Sequence, residues 1–240
     1  MKYLDSRRVG WDTETTSTNP AEARILTAAI IARGGDRPER AQTWIINPGV
    51  PIPPDTTAIH GITDAKVQAE GQDPKTTLDT IASTLASCLR YGMPVTAFNT
   101  SYDYSVLHYE LLRHGLLPMA ERLDGQQPYT LLDALVLDKQ ADKYRKGSRK
   151  LKAVAGHYGV HLEDWHEARA DAVAALGITD EIYRRMPRLD GYDARRLYLA
   201  QQAWREEQQI GLQAHFRKTD PSAYCAPEWP LVPAERGGDA

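Results

Sequence analysis

The stretch VGWDTETTST, residues 9–18, begins as an apolar strand and ends by placing two acids, Asp12 and Glu14, one residue apart. In an extended chain alternate side chains share a face, so these carboxylates stand side by side, roughly 6–7 Å apart at their Cα atoms. Like charges so close destabilise one another unless something positive lies between them. A strand end that presents such a pair suits half of a divalent-metal site, because Mg²⁺ and Mn²⁺ prefer oxygen ligands. Taken alone, an acid pair of this spacing is more often solvated at a strand edge. The reading therefore turns on whether further acids and a base arrive from elsewhere.

Length and composition set the frame. A chain of 240 residues can form one domain with a full core and a small appendage. A net charge of −3 excludes a polycation that coats nucleic acid by bulk charge, so any such contact needs a local patch or cations held by carboxylates. Cys88 and Cys225 stand far apart without metal-ligand spacing, which argues against a disulfide framework or a zinc site and for a reducing compartment. The apolar run ILTAAIIA at 25–32 is too short to span a bilayer. MKYLDSRRVG at the start lacks the apolar core of a signal peptide. A cytoplasmic enzyme with no membrane partner is the expectation.

Outward from 9–18, residues 24–33 and 41–48 read as two further strands, joined by short connections into a meander. Asp55 is placed to cap a short helix ending near His60-Gly61, and Thr63 to cap the next turn. A helix over 75–89 follows Pro74, with Leu78, Ile81, Ala82, Leu85 and Leu89 on one face. Residues 93–99 form a short buried strand, then 101–114 a helix with Val106, Leu107, Leu111 and Leu112 inward. A strand over 129–135 runs into a helix; others span 151–158, ending at Gly159, and about 165–185. Strands first, then strands alternating with helices, predicts an α/β fold with a mixed central sheet. Past Pro187 the composition shifts to a last helix over 193–217 and a proline-containing tail. This divides the chain into 1–186 and a C-terminal extension, 187–240.

Three more residues bear on the metal question. Asp103 lies near the start of a helix, where an acid also simply complements the helix dipole. His166 and Asp171 stand five apart at a helix start, about 500° along a helix, so their directions differ by roughly 140°. They converge only if His166 lies before the helix. Each is otherwise compatible with an exposed polar residue.

Together these segments resemble the DEDDh family of 3′–5′ exonucleases, which includes the proofreading epsilon subunit of bacterial DNA polymerase III, RNase T and oligoribonuclease. The likeness runs from about Val9 to Ile182 through ordered blocks: DTETT at 12–16, IHGIT at 59–63, FNTSYD at 98–103, LLDAL at 131–135 and HEARADA at 166–172. The resemblance implies a ribonuclease H-like fold, a mixed five-stranded sheet flanked by helices. It implies that Asp12, Glu14, Asp103 and Asp171 hold two Mg²⁺ or Mn²⁺ ions and that His166 is the general base. It further implies that Thr15 and Thr16 cradle the terminal nucleotide through their backbone, and that Ile59 and His60 pack on its base or sugar. For His60 a core or capping role is an equal alternative. Asn99 and Asp133 match family positions that are as readily structural. Ser17 stands where many relatives have Gly, and Phe98 where His is common; neither is one of the catalytic positions.

The segment DKQADKYRKGSRKLK at 138–152 carries Lys139, Lys143, Arg145, Lys146, Arg149, Lys150 and Lys152. In this fold it should border the cleft, with Arg149 or Lys150 reaching the scissile phosphate and Tyr144 stacking on a base; the alternative is a solvated loop. The activity expected is release of 5′-nucleoside monophosphates from the 3′ end of single-stranded DNA. An exoribonuclease of the RNase T type, or an idle module that binds nucleic acid or a polymerase, are the alternatives. Trp204, Leu212, Phe216 and Trp229 would dock a DNA polymerase subunit or, more simply, pack back on the core.

Overall fold

The alternating segment at 8–15 becomes β1 (Arg8–Thr15), the middle of a five-stranded sheet ordered β3-β2-β1-β4-β5. The computed structural model describes residues 2–162 and 167–234. The strands β2 (Ile25–Gly34) and β3 (Arg37–Ile45) run antiparallel and complete the expected meander. On the other side β4 (Val95–Ala97) and β5 (Leu131–Asp133) lie parallel to β1. Parallel neighbours need crossovers. The helices α1 (Pro54–His60), α2 (Asp64–Glu70) and α3 (Pro74–Arg90) lead from β3 to β4. The next two, α4 (Thr100–Arg113) and α5 (Met119–Arg122), lead to β5. Then come α6 (Ala134–Ala141), α7 (Leu151–Tyr158), α8 (Ala168–Arg185) and α9 (Ala194–Phe216). The mixed sheet flanked by helices is the architecture the element order predicts.

The two faces of β1 do different work. Val9 and Trp11 are buried with Leu78, Ile81, Leu107 and Leu111 in the larger core layer. Gly10 lies on the opposite face directly under α8: a Cβ there would sit 2.4 Å from the Ala172 carbonyl oxygen and 2.7 Å from Leu176 Cγ. Ala168, Ala172 and Leu176 of α8 pack with Ala29 and Ile31 of β2 in the same layer. Small residues on both sides let the helix backbone settle onto the strand. Asp12 and Glu14 continue the Gly10 face by the two-residue period, so this close approach also sets them against α8.

Local rules place most helix ends. Thr63 accepts from the Lys66 amide at the start of α2, and Asp73 from the Thr76 amide at the start of α3. Four expectations need correction. Asp55 does not cap α1; the cap is Pro53, Pro54 opens the helix, and Asp55 sits in its first turn. Leu112 is 51% exposed, one position and about 100° round the helix from the buried Leu111. Phe216, the last residue of α9, is 45% exposed rather than part of a buried stripe. The strands expected at 93–99 and 129–135 shrink to β4 and β5, because Asn99 turns left-handed (φ 63°) and Asp133 becomes the cap of α6.

The C-terminal segment folds back onto the outer edge of the sheet. Gln201 of α9 donates from Nε2 to the Leu131 carbonyl (3.1 Å) and accepts from the Asp133 amide at Oε1 (2.8 Å), pairing edge strand β5 as a neighbouring strand would. Trp229 is buried and donates its indole N–H to Asp133 Oδ2, and the Val232 amide donates to Ser105 Oγ at 2.8 Å. Trp204 packs edge-on to Tyr192. Both tryptophans considered for docking are thus committed to the core. No described helix is long and apolar enough to cross a membrane.

The close approach at Gly10 makes a prediction. Gly10→Ala drives a Cβ into the α8 backbone and should destabilise by about 1–3 kcal/mol. For a chain of this size that is a fall in Tm of roughly 2–12 °C, read by thermal unfolding followed by circular dichroism.

Candidate active site

Asp12 and Glu14 point from the carboxyl end of β1 toward the first turn of α8, where Asp171 stands. A carboxylate oxygen from each of the three lies within 4.8 Å of one from both others. Across the strand end, Asp103 in the first turn of α4 is held by Thr13: its Oδ1 accepts the Thr13 amide at 3.1 Å and the Thr13 hydroxyl at 2.7 Å. Thr13 therefore orients the fourth acid of the expected set, a role the sequence reading did not give it. The register slips between Glu14 and Thr15, so β1 is irregular where its side chains must turn into the site.

Crowding and burial act on every one of these groups for which a shift is resolved. Burial, then the charges of Asp171 and Asp103, push Glu14 up to about 8. Burial also raises Asp103 to about 7, against the Thr13 hydrogen bonds that lower it. Asp12 is raised well above the carboxylate range by burial and then by Asp103, Asp171 and Glu14.

The contrast with the other buried acids is instructive. Asp180 is clamped by Arg8 at 2.7 Å and Arg33 at 2.8 Å, and Asp138 by Arg145 at 2.9 Å and Arg149 at 2.8 Å. Glu110 is paired with Arg113 and, at 3.9 Å, with Arg24. Asp12, Glu14 and Asp103 have no guanidinium or ammonium within 4 Å among the described residues. Three buried acids elsewhere are neutralised by paired arginines, and Asp133 is held by the Leu135 and Val136 amides and the Trp229 indole, whereas Asp12, Glu14 and Asp103 have no arginine partner among the described residues. An all-oxygen donor set of this kind fits a hard divalent cation.

The helix α8 starts at Ala168, with Glu167 extended before it. His166 itself lies outside the described residues. Thr15 directs its hydroxyl to the Ser17 carbonyl at 3.1 Å and to the Tyr102 hydroxyl, which also donates to Ser17. The Thr16 amide donates to the Arg24 carbonyl (3.0 Å) and its hydroxyl accepts the Arg24 amide (2.9 Å), so its backbone N–H is committed to the β1–β2 connection. Tyr102, inside the FNTSYD block, is a second neighbour of the site that the motif contained but did not reveal.

Beside the acids, a cavity of about 290 Å³ is lined by Thr27, Trp44, His60, Ile62, Lys66 and Arg169, among others. Thr27 is the register partner of Glu14, which puts this cavity next to the acids on the β2 side. His60 Nδ1 accepts the Ile62 amide at 3.0 Å, which directs Nε2 away from the turn; Ile59 is 55% exposed. Asn99, in its left-handed turn, accepts from Arg205 Nη1 at 3.4 Å. The basic segment is largely tied down: Arg145 and Arg149 clamp Asp138, and Lys143 pairs with Glu207. Arg149 is thus not the free phosphate ligand expected, because buried Asp138 requires its charge. Lys150 is exposed at the cap of α7, and Tyr144 is exposed.

Residues 9–179 match the family model described as RNase_T exonuclease. The chain belongs to that family. An uncharacterised exonuclease, CP81, of Escherichia phage 186 is 29% identical over 185 residues, 75% of this chain and 90% of the phage protein. Among solved structures, exonuclease I shares 22% identity with a TM-score of 0.67 over 78% of this chain and 43% of its own. E. coli exonuclease I in complex with a dT13 oligonucleotide gives 21% and 0.64, over 78% of this chain and 43% of that one. The exonuclease-family chain thus spans less than half the length of the exonuclease I structures it matches, and shares with them the ribonuclease H-like fold it was expected to have.

The raised carboxyls set the pH dependence of stability. A carboxyl raised on folding holds its proton longer in the native state. Its contribution is therefore neutral below its ordinary pKa, 4.5 for Glu14, and destabilises progressively as pH rises toward about 8. Metal-free protein should lose Tm across that window. Mn²⁺ at a hundredfold excess over its Kd should return about 2.7 kcal/mol at pH 8, a Tm rise of roughly 5–11 °C. Asp12→Asn should raise the metal-free Tm at pH 8 and shrink the Mn²⁺ increment, both read by thermal unfolding.

Proposed function

We propose that this chain is a divalent-metal-dependent 3′–5′ exonuclease that removes 5′-nucleoside monophosphates from single-stranded DNA. The observation that carries the reading is the carboxylate cluster on β1 and α8, without arginine partners for Asp12, Glu14 and Asp103, in a chain of the RNase_T exonuclease family. The oligonucleotide in the structure of E. coli exonuclease I favours DNA over RNA as the substrate.

In this proposal Asp12, Glu14, Asp103 and Asp171 hold the cations, with Thr13 fixing the direction of Asp103. Bound there, a pair of Mg²⁺ or Mn²⁺ ions supplies a water of lowered pKa and neutralises charge at the phosphate. His166 would accept the proton of the attacking water, the role of a general base that an imidazole can fill near neutral pH. His60 at the neighbouring cavity and Ile59 next to it in sequence would flank the terminal base or sugar, Thr15 would line the turn into the site, and Asn99 and Lys150 would contact the strand.

A gel assay with 5′-labelled DNA and RNA of identical sequence, in Mn²⁺, Mg²⁺ or EDTA, tests the reading. The expected result is a ladder shortening from the 3′ end, faster on DNA, absent in EDTA and absent with Asp12→Ala. His166→Ala should lower the rate by roughly 10²–10⁴-fold. Uncut strand in every lane, retarded on a native gel, would mean a binding module instead; faster loss of RNA would make the chain an exoribonuclease.

Thr13→Val should lower kcat by about 10–100-fold, because it removes the hydroxyl that aims Asp103 while retaining the strand. Near wild-type kcat in that variant would show that Asp103 needs no such support.

A further inference from the structure

The carboxyl ends of β1, β4 and β5 lie side by side along one edge of the sheet. The acids occupy the end of β1. Two strand spacings away, roughly 10 Å, the ends of β4 and β5 carry a different set: Asn99, Asp133, and above them Lys139 of α6 and Arg205 of α9. Crevices at the carboxyl ends of strands are where open α/β sheets take ligands.

Arg205 is the unusual member. Only 7% of it is exposed, yet no carboxylate lies within 4 Å of it among the described residues. Among the described residues its one hydrogen bond is a long one, 3.4 Å from Nη1 to Asn99 Oδ1, and its buried Nε has no partner there. Asp133 is near enough to favour its charge but makes its hydrogen bonds elsewhere. Asp133 Oδ1 accepts the Leu135 and Val136 amides at 3.0 and 3.1 Å, and Oδ2 accepts the Trp229 indole. Lys139, half-buried, likewise has no carboxylate within 4 Å, and burial followed by the Arg205 charge lowers its pKa. Both cations lie in the field of Asp133, and Lys139 also in that of Asp138, without an ion pair to either among the described residues. A buried guanidinium left without a direct partner is strongly unfavourable; buried Arg8, by contrast, has Asp180 at 2.7 Å.

We propose that Arg205 and Lys139, with the Asn99 amide between them and the acids, bind an internucleotide phosphate of the strand upstream of the linkage being cut. A phosphodiester has the charge, and the oxygens in a plane, that a guanidinium fork accepts. Its place along the same sheet edge as the acids puts it within reach of the linkages just upstream. Arg205 lies outside the 9–179 region that defines the family match. The C-terminal helix thus supplies substrate contact as well as packing. The inference rests on the exonuclease reading.

The test uses the full chain and single-stranded DNA in which one linkage at a time, counted from the 3′ end, is an uncharged methylphosphonate. Lys139→Gln and Arg205→Gln should each raise KM by roughly three- to tenfold with kcat little changed. Each should also flatten the slope of log KM against log salt by about 0.7, the value for one lost phosphate contact on a single strand. At one linkage the neutral substitution should weaken the wild type and leave the variants unaffected. If Arg205→Gln fails to fold, Lys139→Gln alone decides. Should the wild type cut and both variants keep its KM and salt slope, or lose affinity equally on every neutral-linkage strand, this site falls and the exonuclease reading stands. Should the wild type cut no strand, the exonuclease reading falls and takes this site with it.

Discussion

Everything in this molecule is arranged around carboxylates forced together at the end of one strand. Asp12, Glu14 and Asp171 bring oxygens within 4.8 Å of one another, and Asp103 adds its charge from the other side of β1. Such a group repels itself, so it persists only where the scaffold over-determines it. The over-determination starts at Gly10. Its missing Cβ lets α8 lie on β1, and the same strand period that buries Gly10 under the helix aims Asp12 and Glu14 at Asp171. The larger core layer on the other face, anchored by Trp11, keeps the strand from giving way.

How the chain treats its other buried acids makes the cluster informative. Asp180, Asp138 and Glu110 each have two arginines at hand, and those of Asp180 tie segments far apart in sequence. The rule is that a buried carboxylate outside the cluster is compensated by the protein itself, with arginines or, at Asp133, with three hydrogen bonds and the nearby Arg205 charge. Where the rule is broken, at Asp12, Glu14 and Asp103, an external cation is the simplest compensation. The same reasoning runs with the sign reversed at Arg205, where an anion is wanted. Charge imbalance of both signs lies along one edge of the sheet, in the order that metal and strand backbone would require.

The C-terminal segment belongs to this scheme. Gln201 closes the hydrogen-bonding edge of β5, Trp229 secures Asp133, and the chain beyond it returns to Ser105 on α4. These contacts hold the ends of β4 and β5 in place and carry Arg205 to them. A helix whose sequence shows only a patchy apolar stripe is therefore fixed by polar bonds to backbone.

The sequence by itself determined what local rules can decide: the strand that carries Asp12 and Glu14, the antiparallel meander, and the helices begun at Thr63 and at Pro74. These are properties of spacing and of near neighbours, and a linear chain displays them. Tertiary structure decided which charges meet. Thr13 and Asp103 are 90 residues apart, Asn99 and Arg205 are 106, and no periodicity links them. Arg149 read as a phosphate ligand because a linear basic run looks unpaired; folding turned Asp138 inward and claimed two of its arginines. Electrostatics in a protein depends on distance and burial, and both are set only when the helices close on the sheet.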